Sequence, residues 1–269
     1  MSGHKGLGTG IITCRFDIEL KGILRYISAK KEERQKQTDN DDSELKDKDA
    51  EIAVMHIVIK AAARAMSEFP SFNGYKVSIP MLAIQGYFPY RQIDISVAKG
   101  IHRSSSESNH TSKLCNVDQF TIKDIATQVA MKISSDNSYK NQSFMSRMFT
   151  KLSSLIFQHN QDFGSCVVLT SPNSENADVE IDVAPSLSME SNGNTPTVVI
   201  VVGGVRILSQ PMNKSSSSNR SSSSTSARPF LHMSISMNCP ASSVATCRKF
   251  AERIQKLAQL PEICDEVVE

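Results

Sequence analysis

An α/β fold is what three stretches of this sequence predict. Residues 231–237 alternate Leu231, Met233, Ile235 and Met237 with His232, Ser234 and Ser236, the period-two pattern of a half-buried strand. Residues 247–258 carry Cys247, Phe250, Ala251, Ile254, Leu257 and Ala258 at helical spacing, and Pro261 follows. Residues 197–205 are rich in Val and Ile, which predicts a strand buried on both faces. Between the first two stretches, Asn238, Cys239 and Pro240 break the strand, and Ser242 or Ser243 can cap the helix. The unit is therefore strand, tight turn, amphipathic helix. Its turn holds short polar side chains where a strand end meets a helix start.

Composition narrows the class. A chain of 269 residues holds one large domain or two small ones, and 39% apolar residues supply a core. A formal charge of +2, with basic residues not gathered into one patch, argues against a nucleic-acid partner. The cysteines at 14, 115, 166, 239, 247 and 264 have no metal-ligand spacing and read as reduced thiols of a cytosol-like compartment, so no metal is expected. No run of eighteen apolar residues exists, so no membrane partner is expected. The start, MSGHKGLGTG, has neither a signal core nor the Arg-rich character of a transit peptide. The expectation is a cytoplasmic protein, with mitochondrial import left open.

Along the chain, residues 1–9 read as a flexible N-terminus and 10–265 as one domain. Residues 11–18 predict a strand and 19–34 a helix with Leu20, Ile23, Leu24 and Ile27 on one face. Residues 35–49 are almost wholly polar and read as a solvated connection. Residues 51–69 predict the clearest helix, with Met55, Val58, Ile59, Ala62, Ala65, Met66 and Phe69 on one side and Pro70 as its stop. Strands are expected at 76–82, 93–98 and 163–171. Helices are expected from Thr121, with Asp124 three residues on as in a capping box, and over 142–159. Residues 102–113 and 214–226 are polar insertions without a strand pattern.

The order of these segments resembles the acyltransferase catalytic domain of 2-oxoacid dehydrogenase complexes, whose relatives include chloramphenicol acetyltransferase. Residues 233–250 fall without a gap on that family's strand, Asp-His-Arg-x-x-Asp-Gly turn and helix. Phe250 matches, and Asn73 in Phe-Pro-Ser-Phe-Asn-Gly takes the Asn of the family's Pro-x-x-Asn turn. Ile93–Ala98, Leu114–Asp118 and Ile181–Pro185 resemble further family strands and turns. The resemblance implies an α/β, chloramphenicol acetyltransferase-like two-layer sandwich, a mixed sheet with flanking helices. It implies a homotrimer with active sites between subunits. It also implies a coenzyme A thioester and a lipoyl-type thiol as reactants, with no lipoyl domain expected in this chain.

The catalytic motif itself is changed. The family Asp falls on Asn238, the catalytic His on Cys239, the Arg on Pro240, the second Asp on Ser243 and the Gly on Val244. The resemblance places the oxyanion-binding hydroxyl on Thr170 or Ser171, and substrate contacts on Asn73 and Asn238. Cys239 reads either as the remnant of a lost base or as a nucleophile that carries the acyl group itself. A free thiol has a pKa of about 8.5, and no base is visible beside it in sequence, which favours the remnant. None of the histidines at 4, 56, 102, 110, 159 and 232 begins a His-x-x-x-Asp motif. His232, seven residues before Cys239 and opposite the apolar face, reads as a surface residue. Two functions follow: acyl transfer between coenzyme A and a thiol, weak or lost for want of the base, or a non-catalytic scaffold or binding protein on the acyltransferase fold.

Overall fold

The structure is a computed structural model that describes residues 11–38, 50–79, 84–98, 111–136, 164–170, 195–209, 227–237 and 243–266. In chain order the elements are β1 (Ile12–Glu19), α1 (Leu20–Thr38), α2 (Val54–Glu68), a 3-10 turn (Pro70–Phe72), β2 (Gly74–Ile79), β3 (Ile84–Pro89), β4 (Ile95–Ala98) and β5 (Thr111–Leu114). A second 3-10 turn (Val117–Gln119) follows. Then come α3 (Ile122–Asp136), β6 (Cys166–Thr170), β7 (Thr195–Pro196), β8 (Val198–Ser209), β9 (Ala227–Met237), α4 (Val244–Gln259) and the short α5 (Pro261–Asp265).

Among the described residues six strands form a mixed sheet in the order β1-β9-β8-β6-β4-β5, with β4, β6 and β8 parallel and the other pairs antiparallel. A smaller antiparallel sheet has the order β3-β2-β7. One face of the large sheet, carried by Ile95, Cys166, Val168, Val198, Ile200, Met233, Ile235 and Met237, merges with the buried faces of the helices into a single core. This is the expected α/β sandwich of a mixed sheet and flanking helices. Pairing of strands far apart in sequence requires this core, since a sheet face and helix stripes must cover one another.

The amphipathic face of α4 is as its spacing predicts: Cys247, Phe250, Ala251, Ile254, Leu257 and Ala258 are all buried. Thr121 and Asp124 close a capping box at α3, with Asp124 Oδ2 accepting from Thr121 N at 3.0 Å and Thr121 Oγ1 accepting from Asp124 N at 3.2 Å.

Other expectations need correction. Residues 35–38 form the last turn of α1 rather than part of a connection. On α1, Leu24 is 45% exposed and Tyr26 takes the inward place beside Ile23. Helix α2 is not one-sided: His56, Ile57, Lys60, Ala61 and Ala63 are buried along with its apolar stripe, because α3, α4 and α5 all pack on it. A helix enclosed in this way loses the polar face that a periodicity argument looks for. Residues 111–113 belong to β5, paired with β4, not to a strandless insertion. Strand β3 had no forecast at all.

Strand β8 is buried only in its first half. Beyond Val202 it runs on past the end of β6 with β9 as its one partner among the described strands, and Val205 and Ile207 are 56% and 71% exposed. The helix expected over 142–159, the Ile181–Pro185 segment, residues 1–10, 39–49 and 102–110 and the Ser-rich 214–226 lie outside the described residues.

Candidate functional site

Sheet register decides which residues can share a site. Met237, the last residue of β9, is level with Val198, the first of β8, which is level with Cys166 and through it with Ile95. The C-terminal end of β9 therefore opens on the N-terminal ends of three parallel strands. Short polar groups gather at that end. Thr197 Oγ1 donates to the Gly74 carbonyl. Ser165 Oγ donates to Asp94 O at 3.4 Å, and Gly164 N to Ser96 Oγ at 3.3 Å. A Cβ on Gly164 would stand 2.0 Å from Asp94 O, so only glycine fits there.

Asn73 and Ser243 belong to this end. Phe250 on α4 stacks on Phe72 with centroids 4.2 Å apart and planes 17° from parallel, and Phe69 meets both rings edge-on. This aromatic cluster sets the start of α4 against the 3-10 turn that leads to Asn73. Asn73 is 7% exposed. Its Nδ2 donates to Tyr90 O and Gln92 O, both at 3.3 Å, and its backbone carbonyl accepts from Tyr90 N at 2.9 Å. Those two acceptors fix the amide's orientation, and its Oδ1 has no partner among the described residues. Ser243 is the N-cap of α4: its Oγ accepts from Thr246 N at 3.2 Å and lies 3.0 Å from Thr246 Oγ1. Asn238 and Cys239 lie between Met237 and Ser243, outside the described residues, as does Ser171.

Thr170 is elsewhere. It ends β6 level with Val202, which is level with Met233, four residues back along β9 from Met237. At about 3.3 Å per residue that is roughly 13 Å along the sheet. The register thus brings Asn73 and Ser243 to one end and Thr170 to the other.

The histidines within the described residues hold other posts. His232 Nδ1 lies 2.9 Å from Asp17 Oδ1 across the β1–β9 pair, on the face opposite Met233. It is partly exposed on the face opposite the apolar one, as expected, is paired with Asp17, and sits at the Thr170 end. His56 is buried at the start of α2, where its Nδ1 accepts from Ala53 N at 3.0 Å, and burial pushes its pKa down to about 4. In the sequence it fails the His-x-x-x-Asp test, and its place three residues after the helix cap is the signal for its structural post.

Lys60 is 1% exposed and donates to Asp118 O at 2.8 Å, its pKa lowered by burial. Cys14, Cys115, Cys166, Cys247 and Cys264 are free thiols. Burial pushes Cys264 up to about 12 and Cys166 further in the same direction. Neither is thereby a thiolate nucleophile. Among the described residues no three His, Cys, Asp or Glu side chains are grouped to hold a metal ion. No helix there is long and apolar enough to cross a membrane.

This arrangement, a mixed sheet with its last strand turning into a packed amphipathic helix, is an acyltransferase fold. No family model matches the chain, and no curated protein matches it. Solved structures do. The dihydrolipoamide acetyltransferase of Azotobacter vinelandii, studied for the roles of a serine, a histidine and an asparagine in its catalysis, superposes with a TM-score of 0.60 at 16% identity. The match covers 96% of this chain and 85% of that one. The cubic core of a pyruvate dehydrogenase multienzyme complex gives a TM-score of 0.57 at 14% identity, with the same coverage. A probable dihydrolipoamide acetyltransferase from Listeria monocytogenes gives 0.56 at 16%, covering 97% of this chain and 88% of that one. The resemblance read from the sequence is therefore present in the fold.

Proposed function

We propose that this chain is an acyltransferase-fold protein that has lost efficient acyl transfer by the family route and serves as a binding or scaffold member. The observation that carries this reading is the pair of residues at the end of β9. A thiol, Cys239, stands where the resemblance calls for the base. Four residues on, Ser243 stands where its orienting partner belongs, its hydroxyl engaged in capping α4. Removing a general base typically costs ~10²–10⁴ in rate. The described histidines offer no replacement, since His56 is locked at a helix start and His232 sits at the opposite sheet end.

The ligands that fit this reading are a coenzyme A thioester and a lipoyl-type thiol, held with help from Asn73 and Asn238. Asn73 Oδ1, a buried acceptor without a partner among the described residues, supports that role. The assembly is a homotrimer. Two things support it: one structural neighbour is a cubic core, a shape with three-fold axes at its corners, and Thr170 lies too far from Ser243 within one copy to share a reacting atom with it.

Acetyl transfer from acetyl-CoA to dihydrolipoamide tests the proposal. The expected result is no turnover above background, together with a saturable rise in melting temperature on adding acetyl-CoA. The fair reconstruction of the site is Cys239→His, Pro240→Arg, Ser243→Asp and Val244→Gly together, since Cys239→His alone leaves a proline and a β-branched residue in the turn. Turnover near the enzyme median of about 10 s⁻¹ by the unmodified chain, abolished by Cys239→Ala, would make Cys239 a nucleophile and end the scaffold reading.

A further inference from the structure

A cavity of about 690 Å³ lies between α1, the residues leading into α2, the start of α3 and α5, and none of the family-site positions discussed above lines it. Its floor is apolar: Tyr26, Ile27, Ala50 and Ile52. Beneath the floor Asp265 accepts from Tyr26 O–H and from Ile122 N, both at 2.7 Å, and so ties α1, α3 and α5 together. The wall carries Lys30, Lys31, Arg34 and Lys123 against Glu33 and Glu51. Further carboxylates stand at the same helix ends: Asp124 in the first turn of α3, Glu262 in that of α5, and Glu266 just after it. Charges of both signs therefore surround the cavity, and no excess of one sign selects an ion.

The charged heads are also engaged. Lys30 pairs with Glu33 at 2.9 Å, and Lys31 lies 3.8 Å from Glu51. Arg34 and Lys123 each have an interaction of their own within the chain. Thr121 Oγ1 donates to Asp124 Oδ2 at 2.7 Å, and Gln35 is exposed. With their heads held in this way, what the long cations offer a ligand is the methylene stem. The Lys30 ammonium stands 5.9 Å from the centre of the Tyr26 ring, which sets its stem beside the apolar floor. A cavity of this size with an apolar floor is the usual form of a small-molecule site. An ion entering it would lose hydration or break one of these pairs, with no unmatched counter-charge to gain.

We infer that this cavity binds an uncharged, mainly apolar molecule with an aliphatic chain or an aromatic ring, at a site independent of the acyltransferase-like end of the sheet. The apolar body lies on Tyr26, Ile27 and Ile52, flanked by the stems of Lys30 and Lys123.

Fluorescence titration of the full chain with N-phenyl-1-naphthylamine, a neutral apolar probe, tests this. One saturable site is expected, with an affinity that does not change with salt. Decanol is expected to displace the probe, with decanoate and decylamine each at least about tenfold weaker, because each would bring a charge to the cavity. Acetyl-CoA is expected not to displace it. Ile52→Trp, which fills the cavity, is expected to weaken the probe about tenfold or more. Lys123 is exposed, so its variants leave the core untouched and keep the test open should Ile52→Trp fail to fold. Lys123→Met keeps the stem without the charge and is expected to hold affinity within about twofold, whereas Lys123→Asp is expected to weaken it about threefold or more. Absence of probe binding overturns the inference. So does either charged analogue matching decanol, equal loss in both Lys123 variants, an unchanged affinity in folded Ile52→Trp, or displacement by acetyl-CoA, which would put the probe at the other site.

Discussion

Asn73, Gly164 and His56 show how single residues carry the constraints of this fold. Gly164 sits where a Cβ would meet the Asp94 carbonyl oxygen at 2.0 Å and its carbon at 2.4 Å, both backbone atoms that cannot rotate away. Gly204 has nothing within 4 Å of the same position. Gly164→Ala is therefore expected to destabilise by at least the roughly 1–3 kcal/mol typical of overpacking. Gly204→Ala is expected to be neutral or to gain up to about 1 kcal/mol by removing backbone freedom from the unfolded chain. Urea unfolding of the two variants checks the contrast, and equal losses would contradict it. His56 gives a pH signature. Its folded pKa of about 4 is below the ordinary 6.5, so between those values the unfolded chain binds the proton and the folded one does not. Stability linked to His56 is full above pH 6.5 and is lost as pH falls towards 4, by at most about 3 kcal/mol. His56→Gln is expected to flatten the stability–pH curve in that window, and an unchanged slope would show that burial there is not felt.

At the level of elements, α4 is legible because one face alone is buried; that its Phe250 meets Phe69 and Phe72 is a contact the spacing does not carry. The illegibility of other stretches is equally physical. Helix α2 is enclosed by three helices, so its inward polar residues, His56 and Lys60, look like an outward face in sequence. Strands β3 and β5 are short, and their pairing comes from partners rather than from an alternating pattern of their own. The exposed half of β8 reads like its buried half because Val and Ile continue past the point where β6 ends. Ser243 lends itself to a prediction at this scale. As an N-cap it is worth about 1 kcal/mol, so Ser243→Ala is expected to lower stability by roughly 0.5–2 kcal/mol. Ser243→Asp, an equally good cap that also favours the helix N-terminus electrostatically, is expected to keep it. A loss of the same size in both, measured by chemical denaturation, would mean that the hydroxyl does something other than cap α4.

For the whole molecule, the decisive fact is one that no local pattern carries: the relative level of strands distant in sequence. Cys239 and Thr170 were assigned to one reaction by resemblance, and nothing in either segment says how far apart the fold puts them. Parallel pairing of β6 with β8, followed by antiparallel pairing of β8 with β9, sets Thr170 roughly four residues along the sheet from Met237, the last described residue before the turn. A thiol and a thioester in reaction span only a few ångströms between the base and the oxyanion donor, since each must stand within hydrogen-bond reach of the reacting atoms. In the proposed trimer, neighbouring copies around a three-fold axis each supply one end. Light scattering at micromolar concentration is accordingly expected to give three times the 29.6 kDa chain mass. A species of 29.6 kDa under those conditions would remove the trimer from the proposal. It would also leave Thr170 and Ser243 as members of two unconnected surfaces.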